Sequence, residues 1–193
     1  MPALGYAYII LGKIMPHRTE MTPFGFISMS SNGKAITNLT WVTTDTPQID
    51  HDPILDQAFQ ELHEYAKGER QQFSVPVDLE DISASHQDWL QVLRQVGYGE
   101  MISYQELASR AGKPKAARAA GSACARNPVP IIYPCHRILK SDGDLGNFGA
   151  IRQLKPDDGR NLKIKAKLIE HEKLCWSNDA ITHTNAITDV TMR

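Results

Sequence analysis

At 193 residues, with 41% hydrophobic and 22% charged side chains, the chain has a globular composition and is long enough for one sizeable domain or two small ones. Its formal charge of −1, from 21 basic against 22 acidic residues, excludes a global pull toward nucleic acid, so any such attraction has to be local. Three cysteines without a CxxC pair exclude a disulfide framework and a cysteine-rich zinc site. The early apolar run "YAYIILG" is too short to span a bilayer and lacks the basic flank of a signal peptide. An intracellular protein in a reducing compartment is expected, cytoplasmic or, in a eukaryotic source, nuclear.

The first elements read as strands. "YIILGKI" is one, and "FGFISMSSNGKAITNLTWV" is a hairpin turning at Asn32-Gly33, a two-residue turn that needs positive φ at both positions. "TDTPQIDHD" is a polar loop. A helix then starts at Asp52 as N-cap with Pro53 in its first turn, runs through Leu55, Ala58, Phe59, Leu62 and Ala66 at helical spacing, and stops at Gly68. "FSVPVDLE" is extended. Together these make a small α/β or α+β unit over residues 1–82.

A second unit, residues 83–176, opens with a helix capped at Ser83–Ser85, with Trp89, Leu93 and Val96 on one face and Gly97 and Gly99 behind it. "SYQELASRAG" has Ser103 and Glu106 at capping-box spacing, and "KPKAARAAGSACARN" is a second, alanine-rich helix; the pair matches a helix-turn-helix. From Tyr104 to Arg126 the cations Arg110, Lys113, Lys115, Arg118 and Arg126 face only Glu106. That local excess is the footprint of phosphate contacts, and a solvated basic face is the competing reading. "IRQLKPDDGR" is loop-like, "NLKIKAKLIEHEKL" is a final helix with Leu162, Ala166 and Ile169 together, and the tail from Ser177, residues 177–193, lacks periodicity and is expected to be disordered.

The chemistry concentrates in "RNPVPIIYPCHRIL". Pro134 stiffens the approach to Cys135, and His136 follows it directly. A free thiol, with a pKa of roughly 8.5, is only slightly ionised near neutrality. A neighbouring histidine can take its proton, directly or through water, while a carboxylate fixes the histidine's tautomer. Glu170 and Glu172, flanking His171, are both candidates for that carboxylate. A structural histidine is the bland alternative for His136, and small buried hydrophobes are the reading adopted for Cys124 and Cys175.

"PCHR", preceded by "RNPVP" and by "GEMISYQELASRAGKPKAARAAGSACA", resembles the active-site domain of O6-alkylguanine-DNA alkyltransferases (methylated-DNA–protein-cysteine methyltransferases), almost without gaps from Gly97 to Gly146. The hairpin and first helix resemble, more weakly, that family's ribonuclease-H-like domain. The resemblance implies an N-terminal ribonuclease-H-like α/β domain packed on a mainly helical C-terminal domain with a helix-turn-helix of winged-helix type. It implies a DNA-repair methyltransferase that flips O6-alkylguanine, with O4-alkylthymine as the alternative lesion, out of the duplex and transfers the alkyl group irreversibly to Cys135, once per molecule. No cofactor, no metal and no obligate protein partner are implied, and the partner is double-stranded DNA bound through the minor groove, whose degenerate code suits a sequence-indifferent lesion finder.

The same resemblance distributes roles. His136 with Glu172 activates the thiol, and Asn127 bridges the recognition helix to the active-site segment. Arg118 enters the stack where the base had been, and Tyr104 lies near the flipped nucleotide's phosphate and the purine N3. Ala119 and Gly121 permit close approach to the DNA backbone, as does Ala120. Arg126 and Arg137 join the DNA-binding set, and backbone carbonyls of Cys135 and Ile138 accept from guanine's amine. Where the family continues Gly-Asn-Tyr-Ser-Gly, this chain has Phe148, Gly149 and Ala150, followed by roughly ten extra residues. Phe148 is expected to keep an aromatic pocket wall, and Gly149 to offer a more flexible backbone N–H. Two further readings are a non-enzymatic lesion-binding protein like the alkyltransferase-like proteins, which lack the cysteine, and a generic Cys-His hydrolase, which leaves the basic helix pair unexplained.

Overall fold

A computed structural model describes residues 9–10, 13–43 and 51–190, with side chains described from residue 15 to 43 and 51 to 175. The first strand expected from sequence is instead a short antiparallel pair, β1 (Ile9–Ile10) and β2 (Lys13–Ile14). β3 (His17–Thr22), β4 (Gly25–Ser31) and β5 (Ile36–Trp41) then form an antiparallel sheet in the order β3-β4-β5. The hairpin between β4 and β5 differs from expectation. Its loop spans residues 32–35, and only Gly33 has positive φ, because the Asn32 side chain accepts from the Lys34 and Ala35 N–H groups and so closes the turn itself. The "TDTPQIDHD" loop falls largely outside the described residues.

Helix α1 (Pro53–Ala66) forms as its sequence dictates: Asp52 accepts from the Ile54 and Leu55 N–H groups, and Gly68, at φ 80, follows the last turn. Its apolar face, Leu55, Ala58, Phe59, Leu62 and Tyr65, is at most 2% exposed and lies on Ile27, Met29, Ile36, Leu39 and Trp41 of the sheet. Each such large side chain contributes about 1.5–3 kcal/mol by leaving water.

The second half comprises α2 (Ala84–Arg94), β6 (Ile102–Ser103), α3 (Tyr104–Arg110), α4 (Ala117–Ala125), a 3₁₀ turn at Cys135–Arg137, β7 (Ile138–Leu139) parallel to β6, and α5 (Gly159–Val190). Ser103 caps α3 through the Glu106 N–H, whereas Glu106 turns its carboxylate to Arg110, so only half of the capping box forms. Backbone helix continues through the expected disordered stretch from Ser177 to Val190, which contains neither glycine nor proline to stop it. The buried stripe of α5 is Asn161, Lys165, Leu168, Ile169 and Glu172; Leu162 and Ala166, expected to face the core, are half-buried. Among the described residues no helix is long and apolar enough to cross a membrane.

The two halves meet along the free edge of β5. An uncovered strand edge leaves unpaired backbone groups, and here the Leu39 N–H donates to Pro128 O at 2.9 Å and the Trp41 N–H to Ala150 O at 3.1 Å. The sheet therefore fixes the chain at the start of the active-site segment and at the end of the expected pocket loop.

Candidate active site

The segment from Asn127 to Arg137 turns back on itself beneath α4. The Tyr133 N–H closes onto Val129 O at 3.0 Å, and Ile131 sits at φ 74, a conformation that a β-branched residue adopts only when its surroundings enforce it. Asn127 is the internal clamp: its Nδ2 donates to Tyr133 O at 2.7 Å and to Cys135 Sγ at 3.1 Å, while its Oδ1 accepts from the Val129 N–H. Cys135 is 2% exposed, and burial pushes its thiol up, opposed by the Asn127 hydrogen bond and by the Lys165 and Arg152 cations.

Glu172 proves to be the carboxylate partner; Glu170 is exposed one residue pair away on the same helix. Fully buried, Glu172 accepts from His136 Nε2 at 2.8 Å, from Arg137 Nε and Nη2, from the Tyr65 hydroxyl at 2.9 Å and from the Gly99 N–H at 3.1 Å. Burial pushes its pKa up, but His136 and Arg137 outweigh that and hold the carboxyl well below the usual range. For His136 burial dominates and lowers the pKa, so the ring is neutral near pH 7. With Nε2 facing the carboxylate, Nδ1 is left buried without a protein partner, the acceptor nitrogen of the correct tautomer for taking a proton.

Arg137 departs from expectation. Only 6% exposed, it is committed to Glu172 and, through Nη1, to Val96 O at 2.6 Å, so it neutralises the buried carboxylate and is inaccessible to DNA. The carbonyls of Cys135 and Ile138 already accept from the Ile138 N–H and from Lys165 Nζ (2.6 Å) respectively, leaving one lone pair each.

Lys165 is a site residue that the sequence reading passed over. It is wholly buried, donates also to Leu145 O, and lies 5.8 Å from the Tyr104 ring; burial brings its pKa down to about 8. It sits among Lys163 and Lys167, a run that reads as a solvated face, yet it precedes Glu172 by two helical turns, which puts both on the buried stripe. Asn161 extends that stripe, and Tyr65 reaches it from α1.

Tyr104 opens α3 half-buried, its hydroxyl donating to Asn147 O at 3.4 Å and its pKa raised by burial. Gly146, at φ 64, makes room for its ring: a Cβ there would stand 2.8 Å from the ring and hydroxyl, whereas one at Gly121 would only touch it at 3.8 Å. On α4, Arg118, Ala119, Ser122 and Arg126 face outward, whereas Ala120 is buried in the core. Arg110 is paired with Glu100 and Glu106, and Lys113 with Asp88; among the described residues no acid pairs with Lys115, Arg118 or Arg126. The residual positive charge therefore lies on the exposed side of the helix-turn-helix.

Phe148 is not an open pocket wall. It is 1% exposed, packed edge-on against Trp41 with ring centroids 6.0 Å apart. Gly149 is required rather than merely permissive: a Cβ there would stand 2.5 Å from Ala125 O. Substituting Gly149 by serine, the residue of the family pattern, is therefore expected to lower stability by about 1–3 kcal/mol, read as a fall in melting temperature.

The description "6-O-methylguanine DNA methyltransferase, ribonuclease-like domain" matches residues 12–79, and "6-O-methylguanine DNA methyltransferase, DNA binding domain" matches residues 84–174. The constitutive methylated-DNA–protein-cysteine methyltransferase of Bacillus subtilis is 32% identical over 83% of this chain and 96% of its own length. The Rattus norvegicus methylated-DNA–protein-cysteine methyltransferase is 45% identical over 50% of this chain and 42% of its own. The crystal structure of Mycobacterium tuberculosis OGT in complex with DNA superposes with a TM-score of 0.70 at 32% identity, over 82% of this chain and 93% of that one. With both halves matched and the Bacillus relative aligned nearly end to end, this chain belongs to the 6-O-methylguanine DNA methyltransferase family.

Proposed function

We propose that Cys135 is the atom through which this methylated-DNA–protein-cysteine methyltransferase works, receiving the alkyl group of O6-alkylguanine in duplex DNA. The observation that carries the reading is a buried cluster of sequence-adjacent Cys135 and His136 with Glu172 behind the histidine: a thiol held by Asn127, a neutral histidine with a vacant acceptor nitrogen, and a carboxylate locked in its ionised form. The thiol proton passes to His136 Nδ1 through a bridging water, since Nδ1 has no hydrogen-bond partner in the protein. Sγ attacks the alkyl carbon as the carbon–O6 bond breaks, and the bonding electrons leave on the purine, which takes up one proton. The thioether formed is stable and no group regenerates the thiol, so each molecule acts once.

A base inside the duplex stack cannot reach Sγ, so the target nucleotide has to be extruded. The outward face of α4, with its small Ala119 and its uncompensated Arg118 and Arg126, suits a close approach in the minor groove, with Arg118 filling the gap in the stack. Tyr104, kept protonated by burial, supplies a hydroxyl for the extruded purine and its phosphate.

The test is the intact mass after incubation with a duplex holding one O6-methylguanine. A gain of about 14 Da, localised to the Cys135 peptide, is expected for a methyl replacing the thiol proton. Tight, lesion-selective binding without a mass gain would sink the proposal in favour of a lesion-binding protein.

A further inference from the structure

We propose that Arg152, which belongs to the extra segment between Ala150 and α5, is a positioning residue for alkyl transfer and acts on Cys135 through Asn127. The proposal rests on the reading of Cys135 as the alkyl acceptor.

The Nη2 of Arg152 donates to Pro128 O at 2.9 Å, to Asn127 O at 3.1 Å and to Leu39 O at 3.5 Å. These carbonyls come from the two residues that start the active-site segment and from the edge strand β5 that holds it. Pro128 O also accepts from the Leu39 N–H, so the guanidinium closes a junction already drawn together by the sheet. Asn127 is then gripped at both ends: its main chain by Arg152, its side chain by Tyr133 O and Cys135 Sγ. A displacement of the Asn127 backbone is carried directly to the thiol.

An extra irregular segment is ordinarily a mobile surface loop, which would make a poor anchor. This one is fastened on both sides. Asn161, in the first turn of α5, accepts from the Ile151 N–H at 2.7 Å and donates to Lys155 O at 3.0 Å, while the Phe148 N–H donates to Pro156 O at 2.8 Å. Trp41 and Thr40 both donate to Ala150 O. Arg152 thus projects from a rigid base. All three carbonyls are met by one nitrogen, Nη2, at the far end of the longest cationic side chain, and its charge is permanent. Its charge also opposes the effect of burial on the Cys135 thiol, so it favours the thiolate that forms as the proton leaves.

The experiment is single-turnover transfer from an O6-methylguanine duplex at saturating protein, measured against pH, for wild type, Arg152→Gln, Arg152→Lys and the control Arg160→Gln, whose arginine pairs with Asp158 at the surface. Arg152→Gln is expected to slow transfer about tenfold or more, with lesion-duplex affinity unchanged and the pH–rate profile displaced upward. Arg152→Lys is expected to be slower than wild type with its profile in place, because the charge survives while an ammonium one bond shorter than Nη2 falls short of the three carbonyls. Arg160→Gln should match wild type. Transfer by Arg152→Gln at the wild-type rate overturns the proposal, as does a loss that tracks DNA affinity and melting temperature with an unmoved profile. A wild type that transfers nothing overturns instead the reading of Cys135.

Discussion

Cys135→Ser is expected to abolish alkyl transfer while leaving the fold and the affinity for lesion-containing duplex nearly intact. Sγ makes one hydrogen bond to a side chain, from Asn127 Nδ2 at 3.1 Å, and a serine hydroxyl can accept the same bond, so the change in stability should stay within about 1 kcal/mol. The chemical loss is of another order. A hydroxyl is a far weaker nucleophile than a thiol at neutral pH, and His136, whose pKa is lowered by burial, is a weaker base than free histidine. The variant should therefore accumulate as a non-covalent complex with the lesion duplex, visible as a retained gel shift without any mass gain. Loss of lesion binding together with transfer would mean that the sulfur is structural.

Much of this site could be read from the sequence because its members are close together in the chain. Pro134, Cys135, His136 and Asn127 lie within one short segment, so their residue types and order carried the chemistry. What could not be read was set by helical phase and long-range contact. Glu172 lies 36 residues from His136, so the residues alone leave it level with Glu170; the family resemblance names it, and the turn of α5 makes the contact. Arg137, two residues from the thiol in sequence, is grouped with the DNA-binding residues until its buried partner is seen. Lys165 is hidden by its neighbours Lys163 and Lys167, although its spacing from Glu172 was on the page. The packing of Phe148 and Gly149 is not legible in sequence because a loop's direction depends on what it packs against, here Trp41 and Ala125 O. The fold was legible in the same uneven way. The capped, amphipathic α1 was explicit in its residues, while the β4–β5 turn hinged on whether Asn32 used its backbone or its side chain.

The polar stripe of α5 explains why catalysis and stability are joined in this protein. Glu172 is the point on which Tyr65 from the first half, Gly99, the active-site turn and α5 all converge. Hydrophobic burial holds the halves together, and this carboxylate fixes their register. It also tolerates little alteration, since a buried cation, a histidine and a tyrosine hydroxyl all depend on it.

Glu172→Ala is accordingly expected to be the most damaging single change to the fold. Removing one partner of a buried pair costs about 3–5 kcal/mol, because Arg137 is left charged and unpaired. For a chain of this size that corresponds to a fall in melting temperature of roughly 6–20 °C. Transfer should fall as well, by about two to four orders of magnitude, because His136 loses the partner that fixes its tautomer. Glu172→Gln, which keeps the shape and some hydrogen bonds, should recover part of the stability and little of the activity. The acid side of the wild-type stability curve carries the same signature. His136 and Glu172 both have folded pKa values below their ordinary 6.5 and 4.5, so at acid pH the unfolded chain binds more protons and stability falls as pH drops. The histidine contribution is complete above about pH 6.5 and erodes below it, and the carboxylate contribution is complete above about pH 4.5 and is lost as pH falls further. In Glu172→Gln the lower of these two phases should disappear while the upper one remains. Denaturant melts from pH 7 to pH 3 would show it, and an unchanged acid limb in that variant would mean that another carboxylate carries the transition.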